Sequence, residues 1–126
     1  MLHYHIHTIP HEAQRYDTVG DYWREGVHDE IRISNLPDDR MEFCIMLHEL
    51  IEDFLCKSRG IDEETHIKPF DIAFEQARIR ENLEEPGDDP SAPYHKEHVF
   101  AEGIERQIAE ELGLSWDDYT EAVNAL

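Results

Sequence analysis

Residues 35–60 read NLPDDRMEFCIMLHELIEDFLCKSRG, and no other stretch of the chain constrains the architecture as strongly. Asn35, Pro37 and Asp38 are helix-start signals, and Gly60 stands where a helix is expected to stop. The spacing predicts a helix from about residue 38 to 58, with a wide apolar sector of Phe43, Cys44, Met46, Leu47, Leu50, Ile51, Phe54 and Leu55. Glu42, Glu49 and Asp53 cluster on the opposite side, while His48 and Glu52 sit at the boundary. A helix of this kind forms the centre of a core. Cys44 and Cys56 both fall in it, about 18 Å apart along the axis, so they read as small buried residues rather than a disulfide pair.

Outward from this helix, the N-terminal side carries the period of strands. Residues 2–8 alternate Leu2, Tyr4, Ile6 and Thr8 against His3, His5 and His7, and residues 27–34 alternate again through Val27, Asp29, Ile31 and Ile33. With a loop containing Pro10 and Gly20 between them, the two runs are expected to pair as antiparallel strands. Two strands alone are marginal in water, so they must pack on helices or on a second copy. On the C-terminal side, Asp62 starts a short helical turn that Pro69 is expected to interrupt, followed by a helix from about 69 to 85. The proline-rich segment 86–93 is a loop, and a helix from about 94 to 112 follows, with Tyr94, Phe100, Ala101, Ile104, Ile108 and Leu112 on one side and a stop at Gly113. Ser115 and Asp118 open a final helix with Trp116, Tyr119, Val123 and Leu126 on its inner stripe. The expectation is an α+β, predominantly helical fold. Its N-terminal antiparallel strand pair (about 2–34) packs with about four helices (about 38–126) in a single domain, 1–126.

Composition narrows the function. A chain of 126 residues with 40% hydrophobic and 33% charged residues fits one globular domain. The formal charge of −19, with only 11 Lys and Arg, argues against a nucleic-acid backbone as partner. No apolar run approaches a membrane span, and the first residues lack a basic region followed by an apolar one, so the expected compartment is the cytoplasm. There is no Gly-rich phosphate loop, no Gly-x-Ser-x-Gly turn and no Cys-x-x-Cys pair.

What chemistry remains lies in histidines and carboxylates. His48 precedes Glu52 by four residues and His98 precedes Glu102 by four, both on helical segments, so each pair offers a nitrogen and an oxygen from one helix face. Two such helices side by side would supply a ligand set better suited to Zn²⁺, Mn²⁺ or Fe²⁺ than to Ca²⁺. His95 shares the face of His98 and is the alternative ligand. Glu105 or Asp53 would serve as the outer carboxylate that a metal-bound histidine usually has. Asp71 and Glu75 read as a solvated helix face and as reserve oxygen ligands. His3, His5 and His7 project together from their strand and look like a metal-binding strip, but the reading preferred for them is a solvent-facing or dimer-facing surface.

Two short resemblances bear on these residues. His48-Glu49-Leu50-Ile51-Glu52 resembles the active-site helix of zinc-dependent peptidases, with glutamate where the second histidine usually stands. The resemblance implies His48 and Glu52 as ligands and Glu49 as the general base. The all-α nucleotide pyrophosphohydrolases hold Mg²⁺ with a Glu-Glu-x-x-Glu helix followed by a Glu-x-x-Asp helix. By analogy Glu49, Glu52 and Asp53 would stand in the first element and Asp71 and Glu75 in the second, with His48 in place of the first glutamate. The expected activity is divalent-metal-dependent hydrolysis of a small-molecule or peptide substrate, with His48, Glu52, His98 (or His95) and Glu102 around the metal and Glu49 catalytic. The alternatives are a pyrophosphohydrolase-like enzyme using Mg²⁺, and a non-catalytic, phage-related binding or assembly protein that pairs as a homodimer through its N-terminal strand.

Overall fold

The structure, a computed structural model, describes residues 1–78 and 84–126. Three strands come first, β1 (Tyr4–Ile9), β2 (Gly20–Glu25) and β3 (His28–Ser34), and they form one sheet in the order β1-β3-β2. Among the described residues four α-helices follow: α1 (Asp39–Ser58), α2 (Lys68–Gln76), α3 (His95–Glu111) and α4 (Trp116–Asn124). The fold is α+β and mostly helical, as the periodicities imply.

The sheet differs from the expected pair in two respects. The segment after Pro10 contains the strand β2, which forms an antiparallel hairpin with β3 through the two-residue turn Gly26-Val27. Gly26 has φ of 61° at the first turn position, the backbone that a type II′ hairpin reserves for glycine. With β2 on one side of β3, strand β1 takes the other side and runs parallel to it, His5 opposite Glu30 and Ile6 opposite Ile31. The expected antiparallel pairing of residues 2–8 with 27–34 is therefore corrected to a parallel one. The intervening strand reverses the chain once more than a simple connection would.

Helix α1 begins where its signals place it, with the Asp38 carboxylate accepting from Arg40 N–H at 2.8 Å. Its buried face, however, is not the apolar sector expected from the pattern. Met41, Cys44, Ile45 and Cys56 are buried together with His48, Glu52 and Asp53, whereas Phe43 and Phe54 are 46% and 45% exposed. The helix is thus rotated so that an ionisable stripe faces inward. Asp53 belongs to that buried stripe and accepts from Tyr4 O–H of β1 at 2.9 Å. Both cysteines are free and buried. The same rotation is seen in α3, which buries Glu97, His98, Ala101, Glu105 and Ala109 and leaves Phe100 56% exposed.

Tyr22, Ile31 and Ile33 of the sheet meet Met41, Cys44 and Ile45 of α1, with Tyr94 and Ala109 of α3 and Tyr119 of α4 closing the core. Lys57 at the end of α1 is ion-paired with the buried Asp29 of β3. Pro69 does not interrupt the chain: a wide π-type turn over Glu63–Ile67 runs directly into α2, where Pro69 occupies the first turn and needs no intrahelical partner for its missing N–H. The expected extension of this helix to about residue 85 is corrected at its start of failure, since α2 ends at Gln76; residues 79–83 lie outside the described residues, and Glu84 and Glu85 are not helical. Among the described residues no helix is long and apolar enough to cross a membrane.

Candidate metal centre between two helices

Packing of α1 against α3 brings three side chains to one point. His48 Nε2, Glu52 Oε2 and His98 Nδ1 lie 2.9 Å (His48 to Glu52), 3.0 Å (His98 to Glu52) and 3.2 Å (His48 to His98) apart. All three residues are buried. Adjacent ligand atoms of an octahedral ion bonded at ~2.1 Å are ~3.0 Å apart, and those of tetrahedral Zn²⁺ ~3.3 Å apart, so a cation fits over this triangle with small adjustment. Two imidazoles and one carboxylate on a single face leave further coordination positions open.

Each of the three groups is oriented from behind. His48 Nδ1 lies 2.7 Å from Glu105 Oε1, and Glu105 Oε2 accepts from Tyr119 O–H at 2.5 Å. His98 Nε2 lies 3.1 Å from Asp88 Oδ1 and 3.3 Å from Glu85 Oε2. Glu52 Oε1 accepts from Tyr22 O–H at 2.9 Å. When each imidazole donates its rear N–H to its carboxylate, the inward nitrogens present lone pairs, and with Glu52 Oε2 three acceptors face one another without a donor. That is the arrangement in which outer carboxylates fix metal-bound histidines. The turn carrying Asp88 reaches His98 because residue 87 is glycine: a Cβ there would lie 2.3 Å from His98 Cγ.

Electrostatics agree that the site attracts positive charge. Burial alone would lower the pKa of both histidines, but their carboxylate partners outweigh it. Glu105 and Glu52 raise His48 well above its ordinary value, and Asp88 and Glu52 push His98 up to about 10. Burial likewise opposes ionisation of Glu52, yet the bonds to His48 and His98 hold it down to about 2. In the absence of a metal, protons on the imidazoles supply the cation that Glu52 requires.

The triad opens onto a cavity of about 240 Å³ whose walls include Glu49, Asp71, Glu75, Arg78 and Tyr94. Glu49 does not point with Asp53, as the helical wheel suggests. It lines the cavity beside Gly20, where a Cβ would come within 2.7 Å of its carboxylate. Enclosure and the neighbouring Glu52 charge raise its pKa well above the usual carboxylate range. Asp71, pushed up to about 7 chiefly by burial, accepts from Tyr94 O–H and, at 3.1 Å, from Tyr16 O–H. Glu75 is paired with Arg78 at 2.6 Å.

Of the residues singled out in the sequence, His48, Glu52 and His98 are therefore brought together, with Glu49 beside them. His95 is turned to the carbonyl of Gly87 at 2.8 Å. Glu102, partly exposed, belongs to no group of three or more potential ligands among the described residues. The carboxylate that reaches across from α3 is Glu105, seven residues after His98 and so on the same helix face. Tyr22, Tyr119, Glu85 and Asp88 carried no signal, because strand β2, helix α4 and the loop before α3 approach the site only through tertiary packing. Comparison with protein-family models, curated proteins and solved structures returns no match, so the reading of this site rests on its own atoms.

Proposed function

We propose that the protein is a divalent-metal-dependent hydrolase whose cation is held by His48, Glu52 and His98, with Glu49 as the proton-transfer group. The observation that carries this reading is the convergence of two imidazole nitrogens and a carboxylate oxygen within 3.2 Å of one another, each backed by a separate hydrogen-bond partner. The two histidines and carboxylate suit Zn²⁺, Mn²⁺ or Fe²⁺. A bound divalent ion supplies Lewis acidity to the scissile group and to water. Glu49, one residue along the helix, accepts a proton from the attacking water and returns it to the leaving group; burial and the neighbouring Glu52 charge raise its pKa, which makes its carboxylate a stronger base than an exposed one. The cavity, smaller than the roughly 300–1,000 Å³ of many ligand pockets, suits a small substrate or the end of a larger one.

Metal analysis and hydrolysis assays with Zn²⁺ or Mn²⁺ test this. His48→Ala should lose both metal and turnover, whereas Glu49→Gln should keep the metal and lose turnover by roughly 10²-fold or more. Full turnover in Glu49→Gln, or metal content indifferent to His48→Ala, overturns the reading.

One observation favours a second reading of the same cavity. Asp71 and Glu75 of α2 line it together with Glu49 and Glu52 of α1, the two acidic helices that nucleotide pyrophosphohydrolysis with Mg²⁺ would need. Asp53, the remaining member of the analogy, is engaged with Tyr4 instead. Release of pyrophosphate from nucleoside triphosphates with Mg²⁺ or Mn²⁺ supports this version, and its absence with both ions removes it.

A further inference from the structure

The face of the sheet turned away from α1 carries a second concentration of ligand chemistry. Alternation along β1 sends His3, His5 and His7 outward, and the parallel register sets His5 opposite Glu30. His28, at the start of β3, stacks on His5 with ring centroids 3.8 Å apart, and His3 Nε2 lies 3.1 Å from His5 Nε2. Four imidazoles therefore crowd one patch around a single carboxylate.

Glu30 sets this patch apart from an ordinary histidine-rich surface. Although it points to the outer face, it is only 7% exposed, covered by its neighbours. Its Oε2 is buried and accepts no hydrogen bond, while His7 Nε2 stands 3.4 Å away; Oε1 has only long contacts, 3.4 Å to His28 Nε2 and 3.5 Å to Arg32 Nη2. A buried carboxylate oxygen without a donor is a position that calls for a cation. One ligand atom from each of His5, His7 and Glu30 falls within 4.8 Å of the others.

We propose that His5, His7 and Glu30 form a second divalent-cation site, on the outer face of the sheet, for an imidazole-preferring ion such as Zn²⁺, Ni²⁺ or Cu²⁺. The parallel pairing of β1 with β3 creates it, because that register sets the Glu30 carboxylate against the histidine strip. His28 stacks behind His5 and fixes its ring. Two imidazoles and one carboxylate leave the remaining positions to solvent, so ions exchange at this site more readily than at the enclosed centre between α1 and α3. The inference does not depend on the hydrolase reading.

Titration of the full chain with Ni²⁺, followed by calorimetry and by broadening of histidine ring signals in NMR, tests it. The expected result is early broadening of His5, His7 and His28, and a binding event that His5→Gln/His7→Gln weakens by at least 100-fold while the event removed by His48→Ala persists. Glu30→Gln should weaken the same event by at least tenfold. If it does not, the strip binds through imidazoles alone and the three-residue site is wrong. If the double variant titrates like the parent chain, or the strip binds only at millimolar Ni²⁺, the proposal is overturned. Circular dichroism of the exposed His5/His7 variant separates loss of ligands from loss of fold.

Discussion

Replacing Glu105 by glutamine isolates what the rear carboxylate does for the metal centre. Glu105 accepts from His48 at 2.7 Å through one oxygen and from Tyr119 O–H at 2.5 Å through the other. Glutamine keeps the shape and one acceptor, and the Tyr119 hydroxyl can rotate to accept from the new amide, so the packing survives while the charge disappears. A hydrogen bond to a charged group contributes about 1.5–3 kcal/mol and a neutral one about 0.5–1.5 kcal/mol, a difference of roughly 1–1.5 kcal/mol. At 1.4 kcal/mol per tenfold, that predicts roughly tenfold weaker metal binding. The figure agrees with the roughly 10–100-fold losses usual for outer partners of metal-bound histidines. Competition of Zn²⁺ against a chromophoric chelator measures it, with Glu102→Gln as the control. Glu102 is the residue the i,i+4 pattern indicates and the geometry leaves aside. Unchanged affinity in Glu105→Gln, or an equal loss in Glu102→Gln, would refute the assignment of the rear carboxylate.

Other substitutions give sharp contrasts. Gly87→Ala drives a methyl to 2.3 Å from the His98 ring, so it should cost about 1–3 kcal/mol in a thermal melt and weaken metal binding, whereas Gly103→Ala in open space on α3 should stabilise by about 0.5–1 kcal/mol. Tyr22→Phe removes the donor to Glu52 Oε1 and should cost about 1–3 kcal/mol in the metal-free protein, because a buried carboxylate oxygen is left bare. The pH dependence separates the metal-free and metal-loaded states. His98 has a folded pKa of about 10 against an ordinary 6.5, so the stability it contributes is full below about pH 6.5 and is lost as pH rises through about 10. Glu52 acts in the other direction: its contribution is present above its ordinary 4.5 and is lost as pH falls through about 2. The melting temperature of metal-free protein should therefore decline between about pH 6.5 and 10, while the gain from added Zn²⁺ or Mn²⁺ grows over the same interval as protons leave the imidazoles. A metal-induced shift that shrinks with rising pH there would contradict this.

Local signals were strong where one element decides the outcome. Asp38 caps α1, Ser115 caps α4 through Asp118 N–H, and alternation marks β1 and β3. Strand β2 was hidden because Gly20, Asp21, Tyr22 and Trp23 do not alternate in polarity. Asp21 is buried by its bidentate pairing with Arg15 rather than by an apolar environment. The direction of β1 depends on that missing strand, so it could not be read without it. The helix faces misled for a related reason. In α1 and α3, hydrophobicity normally chooses the inward side, but partners from elsewhere satisfy His48, Glu52, Asp53, His98 and Glu105, and the ionisable stripe is buried instead. The i,i+4 spacing nevertheless identified His48 with Glu52. Glu105, named with Asp53 as an outer carboxylate, could be read from its place on the His98 face of α3, whereas Tyr22, Tyr119 and Asp88 required the tertiary fold.

The most direct test of the metal centre is a crystal structure of the protein grown with Mn²⁺ or Zn²⁺, with anomalous differences collected at the metal edge. The expected result is a peak about 2.0–2.2 Å from His48 Nε2, Glu52 Oε2 and His98 Nδ1, with Glu105 and Asp88 still bonded to the rear nitrogens. Density at the three ligand atoms that holds no metal at saturating concentration, with both imidazoles still bridged to Glu52 by protons, would contradict it.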